Sequence, residues 1–530
     1  MLDYLFQNAL IVDGTGKPGQ VGDLGVIKGR IRLLGLESGI EAGRVFNAKG
    51  LVLAPGFIDI HGHSDLHLLD YPDSLIKLSQ GVTTDTGGNC GFSAAPLSGD
   101  YAIKARQNLT GILGEPESEM NFSDFASYAD TLDAKGLTGN LAAFVGHGTL
   151  RTLVAGLSEK RLSPGELAQM GDLLAQSLEQ GAMGLSSGLI YLPACYSDTE
   201  ELISLARVLA QKGGIYVSHI RNESTEVLPA LKEAILIGQK AGAPVQISHL
   251  KISGKQNWGL TDKVVELLEQ ARKQGLDVTC DVYPYTASAT TLAAVLPPWA
   301  LEGGAARIME RLKQKDLRAR IRDEIIKGLP GWHDILLDSS MEKVRIAGVQ
   351  SADLKHLEGG NLADLAEKAG GDPFDFLFDL LIQDNCSVSA VFEMMDQKVM
   401  EKFLSLPFAM IGSDGIAAGS KPHPRLYGTF PRVVGRLALG RGIFSLSEAV
   451  HKMTGMPAAR LGLKKRGMLK EGFIADLVLF DPKEFIDTST YDDPCQTPPG
   501  MELVMVNGEP VMEKGLPTGS TPGRFLRRSE

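Results

Sequence analysis

Eight short apolar runs punctuate the chain: LVLAPGFIDIH, GVTTDTGGN, NLAAFVGHG, GAMGLSSG, GIYVSHI, PVQISHL, DVTCDVYPY and FAMIGSD. Runs of this length and continuity are what strands buried on both faces look like, because a parallel sheet is covered on both sides. Helical segments such as DTEELISLARVLAQKG and STEVLPALKEAILIGQKAG separate several of them. Each segment ends at glycine, which accepts the left-handed conformation that stops a helix. Eight strand–helix units predict an α/β fold, a (β/α)₈ TIM barrel.

The flanks have another texture. The first fifty residues alternate apolar and polar positions between Gly and Asp turns, and MELVMVNGEPVMEKG near the far end does the same. The two ends are therefore expected to form one small β-sandwich domain, residues 1–54 plus 465–530, around a barrel over 55–464. The stretch from about 290 to 400 is long for one connection and predicts an insertion near the barrel mouth.

A formal net charge of −11 argues against a nucleic-acid-binding surface. The N-terminus has neither a basic start nor a long apolar run, and no stretch approaches 18 uninterrupted apolar residues, so neither a signal peptide nor a membrane span is expected. Five scattered cysteines do not form a disulfide framework, and the expected setting is cytoplasmic.

Chemistry-bearing side chains collect where the runs end, which in a barrel is the face that carries active sites. His61 and His63 close the first run; the strand period of two aims both imidazoles into the same space. His219 ends the fifth run, His249 the sixth and Asp414 the eighth. Histidines and a carboxylate converging in this way describe a hydrolytic metal centre, in which zinc lowers the pKa of its water to about 7. Asp414 is suited to take the water proton and pass it to a leaving amine. Cys90, in TGGNCGF, reads by itself as a small buried apolar residue. Cys195, Cys280, Cys386 and Cys495 read the same way; His67 and His147 stay open, and His333, His356, His423 and His451 read as structural or solvated.

The ordered set resembles the amidohydrolase superfamily, and within it the N-acyl-D-amino-acid deacylases, or D-aminoacylases. The segments that carry the likeness are APGFIDIHGHSD, GVTTDTGGNCGFSAAP, GAMGLSSGLIYLP, SHIRNES, ISHLKISG, DVYPYTAS, IGSDG, HPRLYGTFPRVVGR and EGFIADLVLFDP. The resemblance implies His-x-His on the first strand, His on the fifth and sixth, and Asp on the eighth. It also reassigns Cys90: the fourth run, AMGLSSG, has no lysine to bridge two metals, and the family places a metal-binding cysteine after the second strand. Implied are a tight zinc on Cys90, His219 and His249, and a weaker position on His61, His63, Cys90 and Asp414. Thiolate ligation suits zinc better than magnesium or calcium.

Removal of an acyl group from an N-acyl-D-amino acid is the implied reaction. Lys251 follows the sixth-strand histidine by two residues and shares its face; with Tyr283 and Arg425 it matches the family's carboxylate-binding positions. Tyr191 is implied to contact the substrate or polarise its carbonyl. SATTLAAVLPPWA, beyond the seventh run, has no cation where acidic-substrate members place an arginine, which predicts neutral or hydrophobic side chains. The alternatives are a cyclic-amide hydrolase of the dihydroorotase or hydantoinase type, a D-dipeptide hydrolase, and a non-catalytic binding relative.

Overall fold

A computed structural model describes residues 1–34, 41–99, 113, 117, 118 and 120–528; positions 35–40 and 529–530 of the expected small domain lie outside the described residues. Eight parallel strands form a barrel in chain order: Phe57–Ile58, Val82–Gly87, Asn140–Ala143 continued by Val145–Gly146, Gly184–Gly188, Ile215–His219, Val245–Ile247, Val278–Val282 and Ala409–Ile411. The third strand is interrupted at Phe144, whose N–H still donates to Gly87 O at 3.0 Å. The ring closes between the eighth and first strands: Gly62 bridges Gly415, and Asp414 N donates to His61 O at 2.7 Å.

Local sequence explains the alternation. The helix Pro164–Glu179 starts at a capping box, Ser163 with Glu166, and has proline in its first turn. Thr199–Lys212 is capped by Asp198 and stopped by Gly213 at φ 77°; Val227–Ala241 is stopped by Gly242 at φ 70°.

One run divides differently from its apolar pattern. Of LVLAPGFIDIH, Val52–Pro55 hydrogen-bonds to Leu2–Ile11 and Leu477–Phe480, and only Phe57–Ile58 enters the barrel. Gly56 is the break, because a side chain there would overlap Thr83, 2.1 Å from where its Cβ would sit. Strands from both chain ends join in one nine-stranded sheet, with Phe6, Leu24, Leu53, Leu477 and Leu503 in its core.

After the seventh barrel strand the chain builds a three-stranded antiparallel sheet, in the order Ala287–Thr291, Ser389–Glu393, Val344–Gly348. Several helices pack with it around a separate core that includes Leu292, Ile308, Phe378 and Phe392. Among the described residues no helix is long and apolar enough to cross a membrane.

Lys452, buried on the helix Leu446–Met453, donates to Leu406 O at 2.6 Å and Ala409 O at 3.0 Å, tying that helix to the start of the eighth strand. Burial lowers its pKa to about 8 from the ordinary 10.5. Below pH 8 the ammonium is charged in both folded and unfolded states, so its cost is constant. Between the two values the unfolded chain binds more protons, and stability rises with pH by on the order of 3 kcal/mol. Denaturation midpoints of wild type and Lys452→Met measured from pH 7.5 to 10.5 check this: the rise should be larger in wild type, and parallel curves would refute it.

Candidate metal centre

The donor side chains stand at the C-terminal ends of the strands and meet on the barrel axis. Two groups form, His61, His63, Cys90 with Asp414, and Cys90, His219 with His249; within each group the ligand atoms lie within 4.8 Å of one another. Cys90 belongs to both. Its Sγ is 3.4 Å from His61 Nε2 and 3.4 Å from His249 Nε2. His249 Nε2 and His219 Nδ1 approach to 2.8 Å, and His63 Nε2 lies 3.0 Å from Asp414 Oδ1.

Three of these residues have left-handed backbones that L side chains seldom adopt: Cys90 at φ 53°, His249 at φ 34° and Asp414 at φ 49°. Each such conformation costs on the order of 1 kcal/mol or more and persists only where the surroundings enforce it. For Cys90 the enforcement is visible. Gly88 and Gly91 flank it at φ 73° and 81°, and Gly88 passes so close to Phe144 O that a Cβ would sit 1.9 Å away. Asp65 accepts from Gly88 N at 2.5 Å and Ser186 from Gly91 N at 3.0 Å, which turns the thiol inward.

Buried carboxylates brace the histidines. Asp281 accepts from His249 N at 2.7 Å and lies 3.0 Å from His61 Nδ1. Asp59 accepts from His61 N at 3.2 Å and Ser413 N at 2.8 Å, so one side chain holds the first and eighth strands together. Glu223 Oε1 lies 2.6 Å from Lys251 Nζ and 3.0 Å from His249 Nδ1. Outer carboxylates of this kind fix the tautomer and orientation of ligating imidazoles.

The electrostatics favour a cation. Burial would raise the Cys90 thiol, but His61 and His249 overcome it and hold the pKa well below the ordinary value, as a thiolate. Burial opposes the Asp414 carboxylate as well, yet Arg425, then His249 and His63, keep it well below the usual range. His63 is raised to about 9 against burial by Asp414 and Cys90. A thiolate and a carboxylate thus meet four imidazoles, of which His61, His63 and His249 hold protons more readily than usual and His219 less so, and zinc can take this donor set by displacing those protons. The residues fit the metal.

The substrate-side candidates divide. Lys251 and Tyr191 line the cavity at the two donor groups, of about 450 Å³. The Tyr191 hydroxyl is 2.9 Å from Thr290 Oγ1, and its ring meets His219 edge-on. Tyr283 and Arg425 lie behind that wall. Arg425, fully buried, places Nη1 2.9 Å from Asp414 Oδ2 and its guanidinium over the Tyr283 ring at 4.6 Å; Lys251 Nζ faces the same ring at 5.6 Å. His147 pairs with Glu201 at 2.8 Å, and His67 stacks on Tyr71. Cys195 and Cys386 have thiols pushed up to about 12 by burial, and neither joins the donor groups.

One expectation is corrected: Cys495, read as a small buried apolar residue, is exposed. His333, expected to be structural or solvated, is buried, pairs with Asp338 and lines the cavity at the donor groups. It arrives on the insertion, at no fixed spacing from any barrel strand. Sequence reasoning also passed over Glu223, Asp281 and Asp59. Asp59 precedes His61 by two on the strand period, and Glu223 follows His219 by four; those spacings were the available signals.

A parallel eight-stranded barrel with His, Cys and Asp donors at its mouth defines a metal-centred hydrolase scaffold. Residues 44–512 match the Amidohydrolase family, and the chain belongs to it. It is 36% identical to D-aminoacylase from Alcaligenes xylosoxydans xylosoxydans, over 99% of this chain and 98% of that one. The structure of N-acyl-D-glutamate deacylase from Bordetella bronchiseptica, complexed with zinc and a phosphonate inhibitor, aligns with a TM-score of 0.85 at 34% identity, covering 99% of both chains. A D-aminoacylase structure concerned with the role of its binuclear metal centre aligns equally well, TM-score 0.85 at 35% identity, covering 99% of this chain and 100% of the other.

Proposed function

We propose that this chain hydrolyses N-acyl-D-amino acids with neutral or hydrophobic side chains, releasing a carboxylate and the free D-amino acid. The observation that carries the reading is Cys90, shared by two donor groups beside a buried cation, Lys251. A cyclic-amide hydrolase that bridges its metals with a lysine would need that lysine on the fourth strand; Gly184–Gly188 has none. The D configuration follows the relatives.

Cys90, His219 and His249 would hold one zinc, and His61, His63, Cys90 and Asp414 a weaker second. Zinc, when bound, supplies a water acidic enough to attack near neutral pH and an electrophile for the acyl carbonyl. Lys251 takes the substrate's α-carboxylate, with Arg425 and Tyr283 adding positive charge and a hydroxyl behind it. Tyr191 turns its hydroxyl from Thr290 to the carbonyl oxygen. Asp414 accepts the proton of the water and returns it to the nitrogen as the C–N bond breaks. Arg425 keeps Asp414 ionised for the first of these transfers.

The side-chain preference rests on a second cavity, of about 520 Å³, that shares Ile190 and Tyr191 with the first. Phe92, Leu192, Ala293, Ala294 and Leu301 are among its walls, and none of the described residues that line it is charged. A carboxylate placed there loses water and gains no partner, which costs several kcal/mol, or roughly a hundredfold and more in kcat/KM. We expect N-acetyl-D-leucine, -methionine and -phenylalanine to exceed N-acetyl-D-glutamate by at least that factor. Activity confined to the L series would overturn the reading; equal turnover of the glutamate would overturn the side-chain assignment.

A further inference from the structure

The insertion places one imidazole in the metal cavity, and its hydrogen bonding is half complete. His333 has 2% of its side chain exposed; Nε2 lies 3.2 Å from Asp338 Oδ2, and the buried Nδ1 has no hydrogen-bond partner among the described residues. Asp338 is itself fixed. Its Oδ1 accepts from Ser224 Oγ at 2.8 Å and Gln256 Nε2 at 3.0 Å. These two residues sit on the loops after the fifth and sixth strands, just beyond His219 and His249. Gly254, at φ 79°, lets the sixth-strand loop come so close that a Cβ there would lie 2.2 Å from Asp338 Oδ1. The pair is therefore indexed to the same loops as the metal ligands, although it belongs to the insertion.

We propose that His333 binds the substrate, its Nδ1 accepting a hydrogen bond from the scissile amide N–H, and that Asp338 holds the imidazole in the tautomer this requires. The assignment rests on the deacylase reading above. A carboxylate only accepts, so Asp338 puts the ring proton on Nε2 and leaves Nδ1 a lone pair. A second proton on Nδ1 would be buried without an acceptor, in a cavity that already contains the Lys251 ammonium. Nδ1 must therefore meet a donor. On an N-acyl amino acid with an apolar side chain, the carboxylate and the acyl oxygen accept, and the amide N–H is the donor. The bond would fix the nitrogen as the carbonyl carbon becomes tetrahedral.

The test is a pair of inhibitors that mimic the tetrahedral intermediate, N-(methylphosphonyl)-D-leucine, which has P–NH, and its P–CH₂ counterpart. Zinc-loaded wild type should bind the P–NH compound about ten- to a hundredfold tighter, the range for a buried acceptor left without its donor. In His333→Ala the ratio of inhibition constants should fall to about one, since the acceptor that distinguishes the two compounds is gone. Asp338→Asn, whose amide can donate to Nε2 and shift the ring proton to Nδ1, should also abolish the preference. His333→Gln, which keeps an acceptor, should restore part of it and serves if the alanine variant does not fold. An unchanged ratio in His333→Ala and Asp338→Asn, or a ratio near one in wild type that still hydrolyses N-acetyl-D-leucine, overturns the role of His333 alone. A wild type that hydrolyses no N-acyl-D-amino acid and binds neither inhibitor overturns the deacylase reading, and this inference with it.

Discussion

Cys90→Ala is expected to lose its zinc on dialysis and, with it, at least 99% of turnover. The thiol is the one donor common to both ligand groups, so its removal leaves two imidazoles in one and takes the bridge from the other. Removing even an outer partner of a ligand costs some 10–100-fold in metal affinity, and a shared inner donor should cost roughly a hundredfold or more. The imidazoles gathered around the thiolate also lose a buried counter-charge, so His61 and His63 should shed protons in the variant. Metal analysis after dialysis, with circular dichroism to establish folding, checks the expectation. A folded Cys90→Ala protein with full zinc and wild-type rate would refute the ligand role.

Asp414→Asn separates metal binding from proton transfer. Asparagine keeps an oxygen at the same place, so the tighter group of Cys90, His219 and His249 should retain its zinc. It cannot accept the proton of a water or return one to a leaving amine, and loss of a positioned acid–base group costs about 10²–10⁴-fold in kcat. KM should move much less, because Lys251, the proposed α-carboxylate contact, pairs with Glu223 and not with Asp414. Arg425 loses its anionic partner at 2.9 Å while fully buried, so a lower denaturation midpoint should accompany the loss of rate. Lys251→Met supplies the contrast, raising KM while sparing metal content. Near-wild-type kcat in Asp414→Asn would remove Asp414 from proton transfer.

The barrel was legible because fully buried parallel strands leave a signature of continuous apolar runs ended by glycine-rich turns, and all eight runs contribute a barrel strand. The first run misled in one respect. Its apolar stretch carries on without a break from the flanking sheet into the barrel, and Gly56, where the chain changes sheets, leaves no gap in hydropathy. Residues whose place depends on strand period were equally readable: His61 and His63 on one strand, Lys251 two beyond His249. His333 was not. It reaches the cavity by the packing of an insertion with its own core, and nothing in its neighbours encodes that distance.

By itself, the sequence determined the barrel, the strand-end positions of His61, His63, His219, His249 and Asp414, and the absence of a lysine on the fourth strand. These follow from periodicity and from residue type, which are local properties. Only the tertiary structure decided how the backbone brings Cys90 between both donor groups, that Arg425 faces Asp414, and that an imidazole from the insertion lines the cavity. The reason is physical. Cys90 reaches the axis through left-handed turns that Gly88 and Gly91 permit and that Phe144, Asp65 and Ser186 enforce from other strands. Such closures are set by what packs against a segment, and the segment's own sequence does not state it.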